Sequence, residues 1–498
     1  MRNCGTLLHI SSLPSEYGIG DLGNEAYDFV DYLNKSGQTL WQILPLGVTG
    51  FGDSPYQSFS SFAGNPYFIS PEILYRKGYI SQGELADERR PVDRVDYGLL
   101  YINRYKLLRK AAVRFNLSTP EYEEFCIKNA WWLNSFAGFM AIKAFSKFKG
   151  LSDWQKELKR FNSNEVNDFF EKNSSELDFW KVLQFWFFEQ WENLKLYANK
   201  NGVSIIGDIP IYVAPDSADV WENPHLFMVD NDLRPKLLAG CPPDAFNEEG
   251  QLWGNPIYDW EAMRLDDYSW WKKRLAMNSK MYDYIRIDHF RGFSGYYAVD
   301  ANEMSAKSGR WYDGPGIDFF KSVESSLGST KIIAEDLGFI DDKVRRLLKE
   351  MGYPGMKILE FGFDSTPNSE YLPHNYEKNT FAYLGTHDNM TFMSYYLKSD
   401  IKTKGFIKNY LNSSNSADIC FSAIRALFSS YADNVIISMQ DYIGLADEGR
   451  MNMPSTLGNN WRWRAQKSSF NDSIALRIKE LASLYGRVDM KEETDDKG

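Results

Sequence analysis

The sequence predicts a (β/α)8 TIM barrel with large, mainly helical insertions, and three observations lead to that prediction. Eight short apolar runs occur along the 498 residues, and most of them end in polar side chains. Helical patterns separate several of the runs, and strands that alternate with helices favour a parallel sheet. Five of the runs end in carboxylates, and a barrel of this type binds its ligand at the carboxyl ends of its strands. We therefore expect a ligand-binding mouth at that end of the barrel.

Each predicted strand is a short apolar run between helical or polar segments. In chain order the runs are 7–10, 40–45, 204–208, 284–288, 331–336, 356–361, 381–388 and 434–441. Helices are predicted over 24–36, 179–201 and 341–351; a glycine ends each one, and Asn24 is the expected N-cap of the first. The strand ends bring five polar side chains to one mouth: Asp208, Asp288, Glu335, His387 and Asp388.

Much of the chain must be insertion, because a bare barrel needs about 250 residues. The longest insertion, 52–178, lies between the second and third strands and predicts a helical subdomain beside the barrel. Residues 214–268 follow the third strand and are rich in Pro, Gly, Asp and Trp, which predicts an ordered lid. The charged tail, 491–498, is expected to be disordered. We predict a single barrel domain over 1–498, with both insertions at its C-terminal face.

Composition excludes several classes of function. The net charge of −11 argues against a nucleic-acid-binding surface, which needs basic patches. No apolar run approaches the length of a membrane span, and the N-terminus lacks the apolar core of a signal peptide. The four cysteines form no Cys-x-x-Cys pair, and the five histidines show no metal-ligand spacing. We therefore predict a cytoplasmic protein without a metal site and without nucleic-acid or membrane partners.

The segment 284–292 carries the most informative charges. Ile285 and Ile287 alternate with Arg286 and Asp288, as in a strand, and the strand runs into His289 and a second arginine. Grouping several charged side chains at the end of an apolar strand costs free energy, so such a group usually serves binding or catalysis. One interpretation makes Asp288 an ionised nucleophile oriented by Arg286. The alternative is a surface cluster of ion pairs.

A second carboxylate favours the first interpretation. Asp288 and Glu335 end adjacent predicted strands, so they should lie side by side at the rim. Cleavage of an acetal needs one ionised carboxylate and one protonated carboxylic acid. Glu335 follows an apolar run and would face the charge of Asp288, and both influences favour its protonated form. Asp388 supplies a third carboxylate that could grip sugar hydroxyls. The alternative for Glu335 and Asp336 is an exposed loop.

Seven motifs resemble those of a known family. They are GDSPYQ (52–57), GDIPIYV (207–213), GCPPD (240–244), LWGNP (252–256), RIDHFRG (286–292), AEDLG (334–338) and GTHDN (385–389). In this order they resemble 4-α-glucanotransferases of the amylomaltase, or disproportionating enzyme, type. The resemblance extends from 7 to 464 and implies the shorter form, without an N-terminal extension or a C-terminal β-sandwich domain.

The resemblance implies roles for the site residues. Asp288 matches the nucleophile, Glu335 the acid/base and Asp388 the stabiliser of the transition state. The expected sugar contacts are Arg286 and His387 at the reacting ring, Tyr56 and Trp253 as aromatic contacts, Asp244 in a lid on the acceptor side, and Ser54 and Asn460 at further positions. We also expect substrate contacts from Asp208, His289 and Asp336 at the same strand ends.

The predicted reaction moves α-1,4-glucan segments from one maltooligosaccharide to the 4-hydroxyl of glucose or another glucan. It proceeds by retaining double displacement through a covalent glucosyl-enzyme and needs no metal or organic cofactor. Two alternatives remain: an α-amylase-like hydrolase that uses water as acceptor, and a non-catalytic glucan-binding protein. The intact set of Asp288, Glu335 and Asp388 argues against the second.

Overall fold

The computed structural model describes residues 2–50, 52–243, 248–363 and 367–488. Twelve strands occur among these residues: β1 (Asn3–Leu7), β2 (Leu40–Gln42), β3 (Ser204–Pro210), β4 (Leu237–Cys241), β5 (Gln251–Pro256), β6 (Tyr284–Asp288), β7 (Gly295–Asp300), β8 (Arg310–Asp313), β9 (Lys331–Ala334), β10 (Gly355–Ile358), β11 (Thr380–Tyr383) and β12 (Asn434–Ser438).

The helices surround and extend a central sheet. Within the described ranges they are α1 (Asn24–Lys35), α2 (Pro71–Arg76), α3 (Gln82–Glu88), α4 (Tyr97–Arg114), α5 (Pro120–Phe145), α6 (Asn164–Lys172), α7 (Ser174–Lys200), α8 (Ala218–Glu222), α9 (Trp260–Leu265), α10 (Ser269–Met281), α11 (Gly316–Val323), α12 (Asp342–Met351), α13 (Phe392–Lys398), α14 (Ile401–Tyr410), α15 (Ile419–Ser429), α16 (Met439–Ile443) and α17 (Asp472–Leu484). None of these helices is long and apolar enough to cross a membrane.

Eight parallel strands of the described chain form the barrel, in the order β10-β11-β12-β1-β2-β3-β6-β9. The two end strands meet at a seam, where Ala334 N donates to Pro354 O at 3.0 Å. Met356 N also donates across this seam, to Asp336 Oδ1 at 2.6 Å. Inside the barrel, Tyr383 OH on β11 donates to Gln42 Oε1 on β2 at 2.8 Å, whereas Trp41 packs outward against Phe29 of α1. The predicted (β/α)8 barrel is thereby confirmed, with all eight predicted strands in it.

Several predicted boundaries need correction. The first strand ends at Leu7 rather than spanning 7–10, because the chain then leaves the sheet. Trp41 Nε1 donates to Leu8 O at 2.8 Å, and Leu44 N donates to His9 Nδ1 at 3.2 Å. The N-cap of α1 is the preceding glycine, because Asn24 is already helical and its side chain bonds outside the helix. Helix α7 begins at Ser174, earlier than predicted.

Helices α2 to α6 occupy most of the long segment between β2 and β3. Helix α5 packs along α7 through aromatic pairs, such as Trp132 with Phe188 at 5.8 Å between ring centroids. Gln184 fixes helix α7 to the segment around Gly64. Its side-chain oxygen accepts from Gly64 N at 2.7 Å, and its side-chain nitrogen donates to Gly64 O at 2.9 Å. The same helix reaches the barrel wall, where Trp191 Nε1 donates to Met281 O at 3.2 Å.

A second sheet, which the sequence analysis missed, lies beside the C-terminal face of the barrel. Within the described chain it has four antiparallel strands in the order β5-β4-β7-β8. Strands β4 and β5 belong to the segment 214–268, whereas β7 and β8 follow β6. The predicted lid segment therefore contains part of a sheet that is completed from elsewhere in the chain.

The residues described after β12 form α16, α17 and short 3-10 turns, and the tail 491–498 lies outside the described residues.

Candidate active site

Strand register brings the predicted carboxylates together at the C-terminal mouth. Asp208 on β3 is paired with Arg286 on β6, and Ile287 on β6 is paired with Ala334 on β9. The next positions along these two strands are Asp288 and Glu335, which therefore stand side by side. Because residues two apart in a strand share a face, Arg286 and Asp288 point to the same side of β6.

A buried arginine organises this end of the barrel. Arg286 Nη1 lies 2.7 and 2.8 Å from the two carboxylate oxygens of Asp208, and 3.0 Å from Asp288 Oδ1. Tyr56 OH donates to Asp208 Oδ2 at 2.7 Å. The Asp208 side chain has no exposed surface. The Asp208 oxygens bind Arg286 and Tyr56 and so support the site from below. The expected sugar contact from Asp208 stays a prediction.

Asp288 is partly accessible, since 29% of its side-chain surface remains exposed. Burial raises the pKa of Asp288 to about 6, against the opposing charge of Arg286. Asp208 raises this pKa further because it carries the same charge. Sequence reasoning named Arg286 as the group that keeps Asp288 ionised; the structure shows that Arg286 limits the rise without cancelling it. At neutral pH the carboxylate form still predominates.

Glu335 is held by two backbone N–H groups. Its Oε2 accepts from His289 N at 2.6 Å, and its Oε1 accepts from Leu337 N at 3.0 Å. His289 adopts a left-handed conformation with φ 53°, which turns the chain sharply just after β6. Burial raises the pKa of Glu335 to about 7, with a second contribution from the charge of Asp288 and only partial opposition from these hydrogen bonds. The direction agrees with the sequence argument for a proton donor.

Asp388 stays ionised because of two neighbours. His387 Nε2 lies 3.3 Å from Asp388 Oδ2, and Asn452 Nδ2 donates to Asp388 Oδ1 at 2.6 Å. Burial alone would raise the pKa of Asp388, but His387 and Asn452 hold it at about 2. The ring of His387 stacks on Tyr56, with centroids 5.2 Å apart and planes 14° apart. Trp461 packs against both rings, at 5.9 Å from each.

Trp253, on β5, is the aromatic side chain next to His289. Its ring meets His289 edge-on, with centroids 4.7 Å apart and an interplanar angle of 82°. Gln57 Nε2 donates to Trp253 O at 3.2 Å and to Asn255 Oδ1 at 3.0 Å, which fixes this part of β5. Burial, together with the charge of Arg291, lowers the pKa of His289 to about 3, so its ring is neutral. Its Nε2 is buried and has no hydrogen-bond partner among the described residues.

Four further predicted residues stand outside this cluster of contacts. Ser54 Oγ accepts from Tyr56 N at 3.3 Å and shapes the turn that carries the tyrosine. Asn460 braces its own loop by accepting from Met453 N at 3.1 Å. Asp336 is engaged at the barrel seam, as described above. Asp244 lies outside the described residues.

Sequence reasoning missed Asn452, Gln57 and Trp461 as parts of the site. Trp461 adjoins the predicted Asn460, and Gln57 adjoins Tyr56, so their motifs could have indicated them. Asn452 carries no such signal beyond its place in a loop after a barrel strand. Among the described residues, no three His, Cys, Asp or Glu side chains are grouped as a metal ion would require.

The arrangement joins three carboxyl groups of unequal acidity. At neutral pH Asp288 is mainly charged, Glu335 is close to its pKa, and Asp388, with a pKa of about 2, is fully ionised. A mainly ionised carboxylate, a carboxyl group that titrates near neutrality and a fixed negative charge therefore share one mouth. This set is suited to displacement at an acetal carbon.

Comparison with known proteins agrees with this chemistry. The family model described as 4-alpha-glucanotransferase (glycoside hydrolase family 77) matches residues 8–469. A 4-alpha-glucanotransferase of Clostridium butyricum is 44% identical, with 97% of this chain and 100% of the relative covered. One from Streptococcus pneumoniae serotype 4 is also 44% identical, with 98% of both chains covered. The structure of an amylomaltase from Streptococcus agalactiae in complex with acarbose matches with a TM-score of 0.95 and 41% identity, covering 98% of this chain and 100% of the other. Fold, site and full-length similarity together show that this chain belongs to the 4-alpha-glucanotransferase family.

Proposed function

We propose that this protein transfers α-1,4-glucan segments between maltooligosaccharides by retaining double displacement. The observation that carries the proposal is the pairing of Asp288 and Glu335 on adjacent strands, with the higher pKa on Glu335. A retaining enzyme needs such a pair at a separation of about 5–5.5 Å, so that one carboxylate attacks while the other donates a proton.

In the first step Asp288 attacks the anomeric carbon of the donor while Glu335 protonates the departing glycosidic oxygen. A β-linked glucosyl-enzyme forms, and the released chain carries the new 4-hydroxyl. In the second step Glu335, now ionised, takes the proton from an incoming 4-hydroxyl, and that oxygen displaces Asp288. The α linkage is restored, and the proton returns to Glu335.

The neighbouring charges support these steps. Arg286 stabilises the carboxylate of Asp288 both before attack and when Asp288 leaves. Asp388, held ionised by His387 and Asn452, places negative charge where the reacting ring becomes positively charged. Trp253 and Tyr56 offer aromatic faces and edges to glucose rings at the same mouth.

We assign the substrate class and acceptor from the same site and from the relatives. The relative from Streptococcus agalactiae binds acarbose, and the named homologues transfer 4-α-glucans. Maltooligosaccharides as donors, with glucose or a glucan 4-hydroxyl as acceptor, suit this mouth. We propose a cytoplasmic location, supported by the free thiols of Cys4, Cys126 and Cys420.

The test is to incubate the purified full-length chain with maltotriose alone. Transfer yields glucose together with oligosaccharides longer than maltotriose, whereas hydrolysis yields only shorter sugars. Asp288→Asn should abolish both products while glucan binding survives. Glu335→Gln should still accumulate a covalent adduct from an α-glycosyl fluoride, because fluoride needs little protonation to leave. Near-normal turnover by the folded Asp288→Asn variant would overturn the mechanism.

A further inference from the structure

Exposed aromatic side chains gather at the outer edge of the second sheet. Strand β8 is an edge strand, and all four of its residues are exposed. Trp311 on this strand is 39% exposed, and Phe339, in the loop after β9, is 66% exposed. Their ring centroids lie 6.2 Å apart, and their planes are inclined by 26°. We call these two side chains the aromatic platform. Core packing does not explain them, and clustered exposed apolar surface is typical of a binding site.

The aromatic platform is held in place by Arg291. The guanidinium carbon lies 3.8 Å from the centroid of the Trp311 ring and covers one of its faces. The same guanidinium donates to Phe339 O and to Gly295 O, and it lies 3.5 Å from Asp341 Oδ2. Only 5% of the Arg291 side chain is exposed. One buried cation therefore ties the loop after β9 to the sheet, while 39% of Trp311 remains exposed.

The platform is connected to both catalytic carboxylates by short stretches of chain. Arg291 follows Asp288 by three residues, and Phe339 follows Glu335 by four. Four residues span at most about 14 Å, so a glucan that extends a few rings beyond the catalytic mouth can reach Phe339. The contacts of Arg291 with the loop after β9 hold that distance fixed.

We propose that Trp311 and Phe339 form a remote binding subsite for glucose units of a long α-1,4-glucan, outside the rings that contact the catalytic pair. This inference rests on the proposed function. Pyranose rings present an apolar face of C–H groups, and a flat, fixed aromatic surface that is partly exposed complements that face. Binding energy from such a remote contact favours long glucans over short ones.

Tyr312, the next residue on β8, serves as a matched control for Trp311. It is 40% exposed, like Trp311, but neighbouring residues of a strand point to opposite faces of the sheet. Tyr312 stacks on Tyr296 on that other face, with centroids 5.5 Å apart. Replacing Tyr312 removes an exposed aromatic ring from the same strand and leaves the platform in place.

The test compares kcat/KM for maltoheptaose and for maltotriose in the full chain and in three variants. In Phe339→Ala and Trp311→Ala, the ratio of the two values should fall about tenfold, the effect of one favourable aromatic contact. In Tyr312→Ala the ratio should stay within about twofold of the unaltered chain. Equal losses on both substrates, or an unchanged ratio in Phe339→Ala, would overturn the subsite.

Direct binding gives a second measurement that does not depend on turnover. In an Asp288→Asn background, calorimetry with maltoheptaose should show a Kd about tenfold higher after Phe339→Ala and little changed after Tyr312→Ala. An unchanged Kd in a Phe339→Ala variant with normal thermal unfolding would refute the proposal. Failure of the unaltered chain to lengthen maltotriose would instead refute the proposed function, so the two failures are distinguishable.

Discussion

Asn452 Nδ2 donates a hydrogen bond to Asp388 Oδ1 at 2.6 Å, from a loop 64 residues further along the chain. His387 holds the other oxygen of the same carboxylate. Asp388 is thus fixed from two sides, in a site where its charge must face the reacting ring. Asn452 is a positioning residue, because it acts through Asp388.

We predict that Asn452→Ala lowers kcat about 10- to 100-fold and leaves KM within about threefold. Hydrogen bonds to charged groups contribute about 1.5–3 kcal/mol, and this one should act mainly in the transition state. The pKa of Asp388 should rise but stay well below 7, so the loss reflects orientation rather than charge. Steady-state kinetics on maltotriose measure the effect.

The control is Leu457→Ala in the same loop, where the side chain is 81% exposed. It should keep normal kcat and KM. Asn452→Asp should be worse than Asn452→Ala, because a second carboxylate would repel Asp388. Equal kcat values for the alanine variant and the unaltered chain would contradict the positioning role.

The pKa values of the catalytic pair predict a narrow pH optimum. The pKa of Asp288 is raised to about 6 and that of Glu335 to about 7, each chiefly by burial. Below pH 6 Asp288 gains a proton and loses its nucleophilic form; above pH 7 Glu335 loses the proton that it must donate. We expect kcat/KM for maltotriose to be bell-shaped, with its maximum between these values. The acidic and basic limbs, the two falling sides of this profile, report the coupled titration of Asp288 and Glu335 together rather than the pKa of either residue alone.

Glu335→Gln provides the internal check on that profile. With an α-glycosyl fluoride as donor, the rate of adduct formation in this variant should keep the acidic limb and lose the basic one. A basic limb that persists would show that another group controls activity above pH 7.

The buried ion pair between Asp208 and Arg286 predicts a shift of the acidic limb. Asp208 raises the pKa of Asp288 by like charge and shares the arginine that would lower it. Asp208→Asn should therefore lower the pKa of Asp288 and move the acidic limb to lower pH. It should also cost about 3 kcal/mol in the free energy of unfolding, because Arg286 loses a buried charged partner.

A second buried ion pair serves as the control. Lys143 and Asp216 form it away from the site, and the lysine side chain is only 2% exposed. Asp216→Asn should lower the free energy of unfolding without moving either limb of the pH profile. An acidic limb at the same pH in Asp208→Asn and in the unaltered chain would contradict the role assigned to Asp208.

How much of this could be predicted from sequence depends on how local each feature is. Strand β6 has the bounds predicted for it, because alternating apolar residues and a charged end mark it within five positions. Strand β1 was misplaced because residues 7–10 are more apolar than residues 3–7, whereas the strand is set by pairing of 3–7 with β12 and of 5–7 with β2. Strands β4 and β7 were missed because their pairing joins two distant segments of the chain, 237–240 and 297–300.

The site residues also divide into those marked by the local sequence and those set by distant partners. Asp288 and Glu335 could be found because each ends a strand, and parallel strands align their ends. Asp208 could be located, but its contacts with Arg286 and Tyr56 could not be predicted, since they join three separate segments of the chain. Asn452 could not be found, because nothing near it in sequence points to Asp388.

The last prediction concerns the competition between sugar acceptors and water. Trp253 lies with its ring edge against His289, and its backbone is held by Gln57. Because His289 adjoins Asp288, we infer that this indole shields the proposed glucosyl-enzyme from water. Trp253→Ala should therefore raise the ratio of hydrolysis to transfer by about tenfold, since excluding water suppresses side reactions of a reactive intermediate. The ratio is measured as reducing ends gained against glucose released from maltotriose. Trp253→Phe, which keeps an aromatic ring over His289, should restore most of the original ratio. If the alanine variant is stable and active but its ratio is unchanged, the shield lies in another part of the mouth.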